Sequence, residues 1–395
     1  MQGFAVGPLI WAPLSELHGR QLVHAISFGG LSVFNAGAAA AQNIQTLIIL
    51  RFFAGMFGAA PFTNAGAVVA DIFRAQQRGL AMTVFAIAPF LGPVLGPIVG
   101  GFLGETQGWR WVEGLMAILA GTLWVVGIVF VPETYAPVLL RKRAARLSQV
   151  TGYVYRSRID VENGGISARK AFQTALLRPW ALLFLEPIVL LLSIYMSIVY
   201  GTLYLLFAAY PIVYQELRGW SEGVGGLAFL GIAIGMILAL LYGFVENIRY
   251  RRIVTVTSSS SSPPPETRLI PAMIGGPAIP IALFWFAWTN GPSIHWIVSV
   301  IAGAPFGFGM VLIFVSIKNY LVDSYTAYAA SALAGGVILR SFFAAAFPLF
   351  TQYMFRNLGV HWASSIPAFL ALACTPLPFV FYVFGPKIRE KSRYT

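Results

Sequence analysis

Leu91–Gly101 reads LGPVLGPIVGG, a ladder of glycine and proline inside an apolar run that extends from Ala81 to Leu103. About twenty apolar residues suffice to cross a bilayer, and lipid tolerates helix breakers only where neighbouring helices re-satisfy the freed backbone. The stretch is therefore expected to be a membrane helix packed against other helices. Gly92, Gly96 and Gly100 recur every four residues, which puts three positions without side chains on one face and lets a second helix approach closely. Pro93 and Pro97 bend the axis, and Gly101 closes the run. The expectation is a bent, tightly packed hinge helix.

The rest of the chain has the same solvent preference. With 395 residues, 58% hydrophobic and 10% charged, and a mean hydropathy of +0.75, it cannot cover itself with a polar surface. It is read as an all-α, polytopic membrane protein. The single cysteine, Cys374, excludes an internal disulfide, so helix packing alone must hold the fold. Apolar runs bounded by polar punctuation predict ten complete spans, at roughly 22–41, 46–69, 79–103, 112–131, 182–212, 223–245, 270–289, 293–316, 326–352 and 363–384. Gly3–Leu14 is apolar but too short to cross, and neither a basic leader nor a cleavage site precedes it. It is expected to be the second half of a helix whose start is missing.

Basic residues orient the spans. With Ser15–Arg20 in the cytoplasm, 21 of the 26 Lys and Arg residues fall in cytoplasmic segments, leaving Arg110, Arg218 and Arg356 outside and Arg51 and Arg340 within the membrane. The net charge of +12 is thus a topology signal, and its scatter over short loops argues against nucleic acid as a partner. Leu139–Trp180 turns polar, with nine basic residues against Asp160 and Glu162 and with the loop formers Asn163, Gly164 and Gly165. The expected organisation is an N-terminal bundle over 1–138, a cytoplasmic linker over 139–180 and a C-terminal bundle over 181–395. A second polar stretch, 246–268, with five consecutive serines and three prolines, reads as a flexible cytoplasmic loop. The halves echo each other: Asp71 and Asp323 close corresponding helices, as parallel repeats would place them.

Three ordered motifs carry a family resemblance. Pro13–Arg20, PLSELHGR, resembles the loop signature between the second and third helices of the major facilitator superfamily, with Glu16, Gly19 and Arg20 at its acid, glycine and arginine positions. Arg51–Gly58, RFFAGMFG, resembles the arginine motif of the fourth helix, and LGPVLGPIVGG resembles the fifth-helix motif of drug/proton antiporters. GPLIWAPLSELHGR, VPETYAPVLL and YGTLYLLFAAYPIVY look like the fungal multidrug and polyamine branch. The resemblance covers essentially the whole chain. It departs at Gln21, where a basic residue is usual, and at Ala12, where the signature has its first glycine. It implies a fold of two helical bundles with twelve helices, of which the first and part of the second are lacking here. It also implies a transporter exchanging a small organic compound for protons by alternating access; the chain is expected to be monomeric and to lie in the plasma membrane, or second in the vacuolar membrane, since nothing in its loops reads as a sorting address.

Glu16 and Arg20 are four apart and can meet across one turn, and Asp71 is a second partner for Arg20; such a cluster either latches the cytoplasmic side shut or is an ordinary topology-setting loop. Arg51 lies about two turns into an apolar run, so it must find a partner, a polar cavity or the interface; the resemblance implies proton coupling, and snorkelling is the alternative. Glu186, followed by Pro187, is taken as the only acid clearly inside a span, either as a proton carrier or as a hydrogen-bonded residue fixing a kink. Tyr195, Tyr200, Tyr204 and Phe207, with Tyr210, form an aromatic surface that either lines a substrate cavity, holding flat compounds or a cation, or packs the core.

Enzymatic chemistry has no basis in the chain. His18, His24, His295 and His361 form no metal spacing, and no GxxxxGK phosphate loop is present. No cofactor or metal is expected; the expected partners are a small-molecule substrate, protons and the lipid bilayer. The rival expectations are a proton-coupled importer, a non-transporting sensor, and a non-functional fragment. Drugs, polyamines and secondary metabolites all remain open as substrates.

Overall fold

The computed structural model describes residues 2–73, 75–158, 161, 168–257, 264–390 and 392. They form helices, with no strand among the described residues. In chain order these are α1 Gln2–His18, α2 Arg20–Ala39, α3 Ile44–Ile72, α4 Ala75–Gln107, α5 Trp109–Phe130, α6 Ala136–Thr151, α7 Ala168–Leu185, α8 Pro187–Tyr210 and α9 Glu222–Leu227, then α10 Leu230–Thr257, α11 Ile270–Thr289, α12 Trp296–Ile301, α13 Gly303–Ser324, α14 Ala329–Cys374 and α15 Pro376–Arg389.

Among the described residues, eight helical ranges are long and apolar enough to cross a membrane. The expected stretch 79–103 falls in α4, a helix of 33 residues. The last of the eight ranges, Ala329–Arg389, contains 61 residues. A straight helix of that length would reach about 90 Å, some three times the hydrocarbon thickness. It turns at Gly359, where φ is 73° and ψ is 164°. That backbone is open to glycine and strained for other residues, so the expected spans 326–352 and 363–384 lie on either side of a glycine break.

The chain forms two compact units, one from residues 1–86 with 108–178 and the other from 87–107 with 179–395. In the first, α1 lies on α3 through Gly3 and Gly7, where a Cβ would run into the Phe52 and Met56 carbonyl oxygens. Trp11 Nε1 donates to the Met56 carbonyl at 2.8 Å. Helix α2 lies on α5, where Ser32 Oγ donates to the Ala117 carbonyl at 2.9 Å and Trp124 Nε1 to the Ala25 carbonyl at 2.8 Å. Such close contacts replace the hydrophobic drive that lipid does not supply between helices.

The second unit has the larger core, including Tyr195, Tyr210, Tyr214, Phe306, Phe314 and Tyr320. Its tightest crossing joins α10 to α12 and α13. Gly231 and Gly235 face the carbonyls of Val300 and Ala304, while Gly303 and Gly307 face the backbone of Ile232. Two glycine pairs, each at a spacing of four, meet across one interface, so the backbones touch without side chains between them.

Packing along the ladder is uneven. Gly92 and Gly96 have nothing within 4 Å of a Cβ among the described residues. A Gly101 Cβ would lie 2.7 Å from the Glu222 carbonyl oxygen, and a Gly226 Cβ 2.5 Å from the Pro97 carbonyl oxygen. The Glu105 carboxylate accepts the Gly223 N–H at 2.9 Å. Pro93 and Pro97 lie inside α4, as expected.

Two polar stretches are more ordered than their composition indicates. Within 139–180, α6 and α7 are helical; Asn163, Gly164 and Gly165 lie outside the described residues. Within 246–268, α10 continues to Thr257, with Arg249 paired to Glu246 at 2.7 Å. A 3-10 turn covers Pro265–Leu269, and the serines lie outside the described residues. Local charge pairing at i,i+3 keeps such a polar extension helical.

Candidate functional site

Arg20 opens α2 and is the centre of a charged cluster in the first unit. Its Nε lies 3.3 Å from Asp71 Oδ2, near the end of α3. Its Nη1 donates to Ser15 Oγ, and its guanidinium carbon sits 4.6 Å from the centroid of the Tyr135 ring. The expected Glu16–Arg20 contact is not formed: Glu16 is exposed, and the guanidinium is drawn to Asp71, Ser15 and the Tyr135 face.

Sequence reasoning missed Glu133, the residue that builds this cluster. Its Oε1 accepts the backbone N–H groups of Arg20 at 2.9 Å, Thr134 at 3.0 Å and Tyr135 at 2.9 Å, and its Oε2 accepts that of Gln21 at 3.3 Å. The carboxylate thus caps the N-terminus of α2, where unsatisfied donors and the helix dipole favour an anion. Burial alone would push this carboxyl up, but the four backbone donors outweigh it and hold its pKa below the ordinary value. Gly19 is required twice over: its φ is +98°, and a Cβ there would collide with the Glu133 carboxylate.

The second unit contains a related cluster at the corresponding helices. Arg268 Nε lies 2.7 Å from Asp323 Oδ2, and its guanidinium carbon lies 3.5 Å from the Tyr250 ring centroid. Glu266 is 4% exposed and accepts Arg389 at 2.8 Å. Asp71 and Asp323 therefore each meet an arginine at the start of the apolar helix before their own. The overlooked signal is the tripeptide Pro-Glu-Thr, which occurs at 132–134 and again at 265–267.

Arg51 pairs with an acid on a neighbouring apolar helix, with about half of its own side chain exposed. Its Nη2 lies 3.0 Å from Glu113 Oε1 on α5, and Glu113 is 6% exposed. Glu186 is therefore not the only acid within the apolar helices. Glu186 itself stands at the break between α7 and α8, where its Oε2 accepts the Tyr325 hydroxyl at 3.0 Å. It holds the junction, and the crossing helix begins at Pro187 rather than at 182. Tyr325→Phe should remove this buried bond and lower stability by about 1–3 kcal/mol, read as a drop in thermal unfolding temperature in detergent.

The aromatic surface separates into two parts. Tyr200, Tyr204 and Phe207 share one face of α8 and are half-buried, with the Tyr200 and Tyr204 hydroxyls 3.5 Å apart. Tyr195 is fully buried on another face, with its hydroxyl toward Gly276, and does not join them. The Tyr200 face expected to hold a cation is already covered, since the Arg340 guanidinium carbon lies 4.7 Å from that ring centroid.

Two all-helical units, charge clusters at helix starts and helices long and apolar enough to cross a membrane mark a polytopic membrane protein. The model of the Major Facilitator Superfamily matches residues 1–348, and the chain belongs to that superfamily. It is 64% identical over 392 residues to the "MFS-type efflux pump MFS2" of Trichophyton rubrum, covering 99% of this chain and 66% of that protein. It is 61% identical over 392 residues to the "Major facilitator superfamily multidrug transporter mdrA" of Aspergillus fumigatus, covering 99% of this chain and 64% of that one. The chain thus spans slightly under two thirds of the length of these relatives. The fold is that of the solved human organic anion transporter MFSD10 (TETRAN), with a TM-score of 0.63 at 18% identity over 95% of this chain and 81% of that one.

Proposed function

We propose that the chain carries out proton-coupled export of small organic compounds by alternating access, as a multi-pass protein of the fungal plasma membrane. The names of its fungal relatives support export. The observation that carries proton coupling is the Arg51–Glu113 pair at 3.0 Å. A carboxylate enclosed among apolar helices is retained at a cost and is stable as an anion only beside its cation. Protonation of Glu113 breaks the pair and frees Arg51, and loss of that proton restores it. The group can therefore bias one of two conformations according to whether a proton is bound. The charge clusters around Arg20 and Arg268 serve as latches in this reading, with Glu133, Asp71, Asp323 and Glu266 as their acids. Tyr200, Tyr204 and Phe207 contact substrate, and the glycines and prolines of 92–101 let α4 bend.

The test is efflux from preloaded cells lacking their own pumps, with and without a protonophore. The expected result is gradient-dependent loss of substrate that falls at least about tenfold in Glu113→Gln, whose neutral side chain cannot exchange the proton. Export that continues with the protonophore, or that Glu113→Gln leaves unchanged, overturns the coupling. Net uptake in place of loss makes the protein an importer.

A further inference from the structure

Helix α6 leaves the first unit where two apolar helices end. It starts six residues after Phe130, the last residue of α5. Between them Glu133 accepts the Arg20 N–H at 2.9 Å, which ties the connection to the first residue of α2. Both α2 and α5 are long and apolar enough to cross a membrane. Residues 131–135, even fully extended, reach at most about 17 Å, so the start of α6 is held near the lipid headgroups. From there the chain is strongly basic: residues 136–158 contain six Lys and Arg residues and no acid.

The outer side of α6 mixes these charges with apolar residues. Leu139, Arg143, Arg146 and Val150 follow one another at spacings of four, three and four, which places them along one stripe of the helix. Leu140 and Leu147 flank the stripe on one side and Lys142 on the other. All seven side chains are exposed, Val150 by 78%, while Val138 and Ala144, the buried residues of the helix, lie off the stripe. Gly152, with φ 73°, ends the helix and lets the chain fold back, so that the Tyr155 N–H donates to Ser148 Oγ at 2.8 Å. That turn leaves Tyr153 and Val154 exposed at the same end. An apolar groove on a protein partner would have to bury Arg143 and Arg146 among the leucines, at the cost of desolvating both charges. At a lipid surface their stems lie along the apolar residues and their heads reach phosphate. Basic clusters beside a membrane span are drawn to anionic lipid in this way.

We propose that α6 lies along the membrane surface, with Leu139, Leu140, Leu147 and Val150 at the edge of the acyl chains and Lys142, Arg143 and Arg146 on the headgroups of anionic phospholipids. The inference needs neither substrate nor gradient, so it stands apart from the transport reading. The test uses the full chain with Cys374→Ala, which removes its single cysteine, and a nitroxide attached at Val150→Cys or, off the stripe, at Gln149→Cys. The chain is placed in nanodiscs of phosphatidylcholine alone or of phosphatidylcholine with phosphatidylserine. Electron paramagnetic resonance then reads collisions with oxygen, which concentrates in lipid, and with a neutral nickel chelate, which stays in water. With phosphatidylserine the probe at 150 is expected to be shielded from nickel, and less so in phosphatidylcholine alone, while the probe at 149 meets nickel in both. Each basic residue near an anionic surface shifts the ratio of docked to free helix by about fivefold, so Lys142→Gln, Arg143→Gln and Arg146→Gln together should lower it about a hundredfold. The probe at 150 should then meet nickel in the phosphatidylserine discs. The three side chains are exposed, so the triple variant should elute as a single species like the unaltered chain. A probe at 150 that stands in water in both lipids overturns the proposal and leaves the face to a soluble partner. Shielding that is as strong without phosphatidylserine, or that the folded triple variant retains, overturns the assignment to anionic headgroups.

Discussion

Gly235→Val is expected to leave no folded second unit. A Cβ at this position would overlap the Ala304 carbonyl oxygen and stand 2.6 Å from its carbon and 2.9 Å from its Cα. All three are backbone atoms of α13, so no side-chain rotation relieves the clash. The helices must separate, and separation also exposes the contacts of Gly231, Gly303 and Gly307 along the same crossing. Overpacking in a core costs about 1–3 kcal/mol where side chains can give way, and more where only backbone can move. In lipid the separated helices gain nothing by exclusion of water, so close packing is the interaction that is lost. The check is the monodisperse fraction after detergent extraction, by size-exclusion chromatography, which should fall to background. Gly92→Ala and Gly96→Ala, whose Cβ positions meet nothing within 4 Å among the described residues, should extract like the unaltered chain. If those two fail while Gly235→Val folds, the packing described for the second unit is wrong.

Glu133→Ala is expected to be the most damaging single change in the first unit outside its helix crossings. One carboxylate accepts four backbone N–H groups, two of them from the first turn of α2. Hydrogen bonds to a charged group contribute about 1.5–3 kcal/mol each when buried. This site is half-exposed, and water replaces part of what is lost, so the net destabilisation should be about 2–4 kcal/mol. The same change removes the support that holds Tyr135 under the Arg20 guanidinium. Because the folded carboxyl titrates below its unfolded value of 4.5, its stabilisation is present in full above that pH and fades as pH falls through the folded pKa. Thermal unfolding followed from pH 7 to pH 3 should therefore show a loss at the acidic end that is smaller in Glu133→Ala. Glu133→Gln, which keeps acceptor capacity on one oxygen only, should fall between the two.

How much of this was legible follows from what kind of information each feature needs. The all-helical membrane class is a solvent preference summed over hundreds of side chains, and it was readable from composition and run length. Arg20 and Asp71 could be proposed as partners because each stands at the polar end of an apolar run. Glu133 could not be placed in their cluster, since 113 residues separate it from Arg20 and its targets are backbone donors, which every residue except proline offers. Glu113 was overlooked for a simpler reason: it stands three residues beyond Arg110 near the start of α5, where it reads as an interfacial acid until the pairing with Arg51 is seen.

The glycines draw the same line more sharply. A spacing of four is a local property, and the sequence by itself determined that 92, 96 and 100 lie along one face of a helix, as 231 and 235 or 303 and 307 do. Which of those faces meets another backbone is decided by tertiary structure alone, because lipid accepts an open glycine face as readily as a packed one and only the position of a second helix distinguishes them. The tyrosines follow suit. Helical periodicity placed Tyr200, Tyr204 and Phe207 together, while burial removed Tyr195 from the group and the packing of α14 on α8 brought Arg340 to the Tyr200 ring. Pattern within a helix is written in the order of the residues; the sign of the charge that meets it comes from other helices, and so waits on the fold.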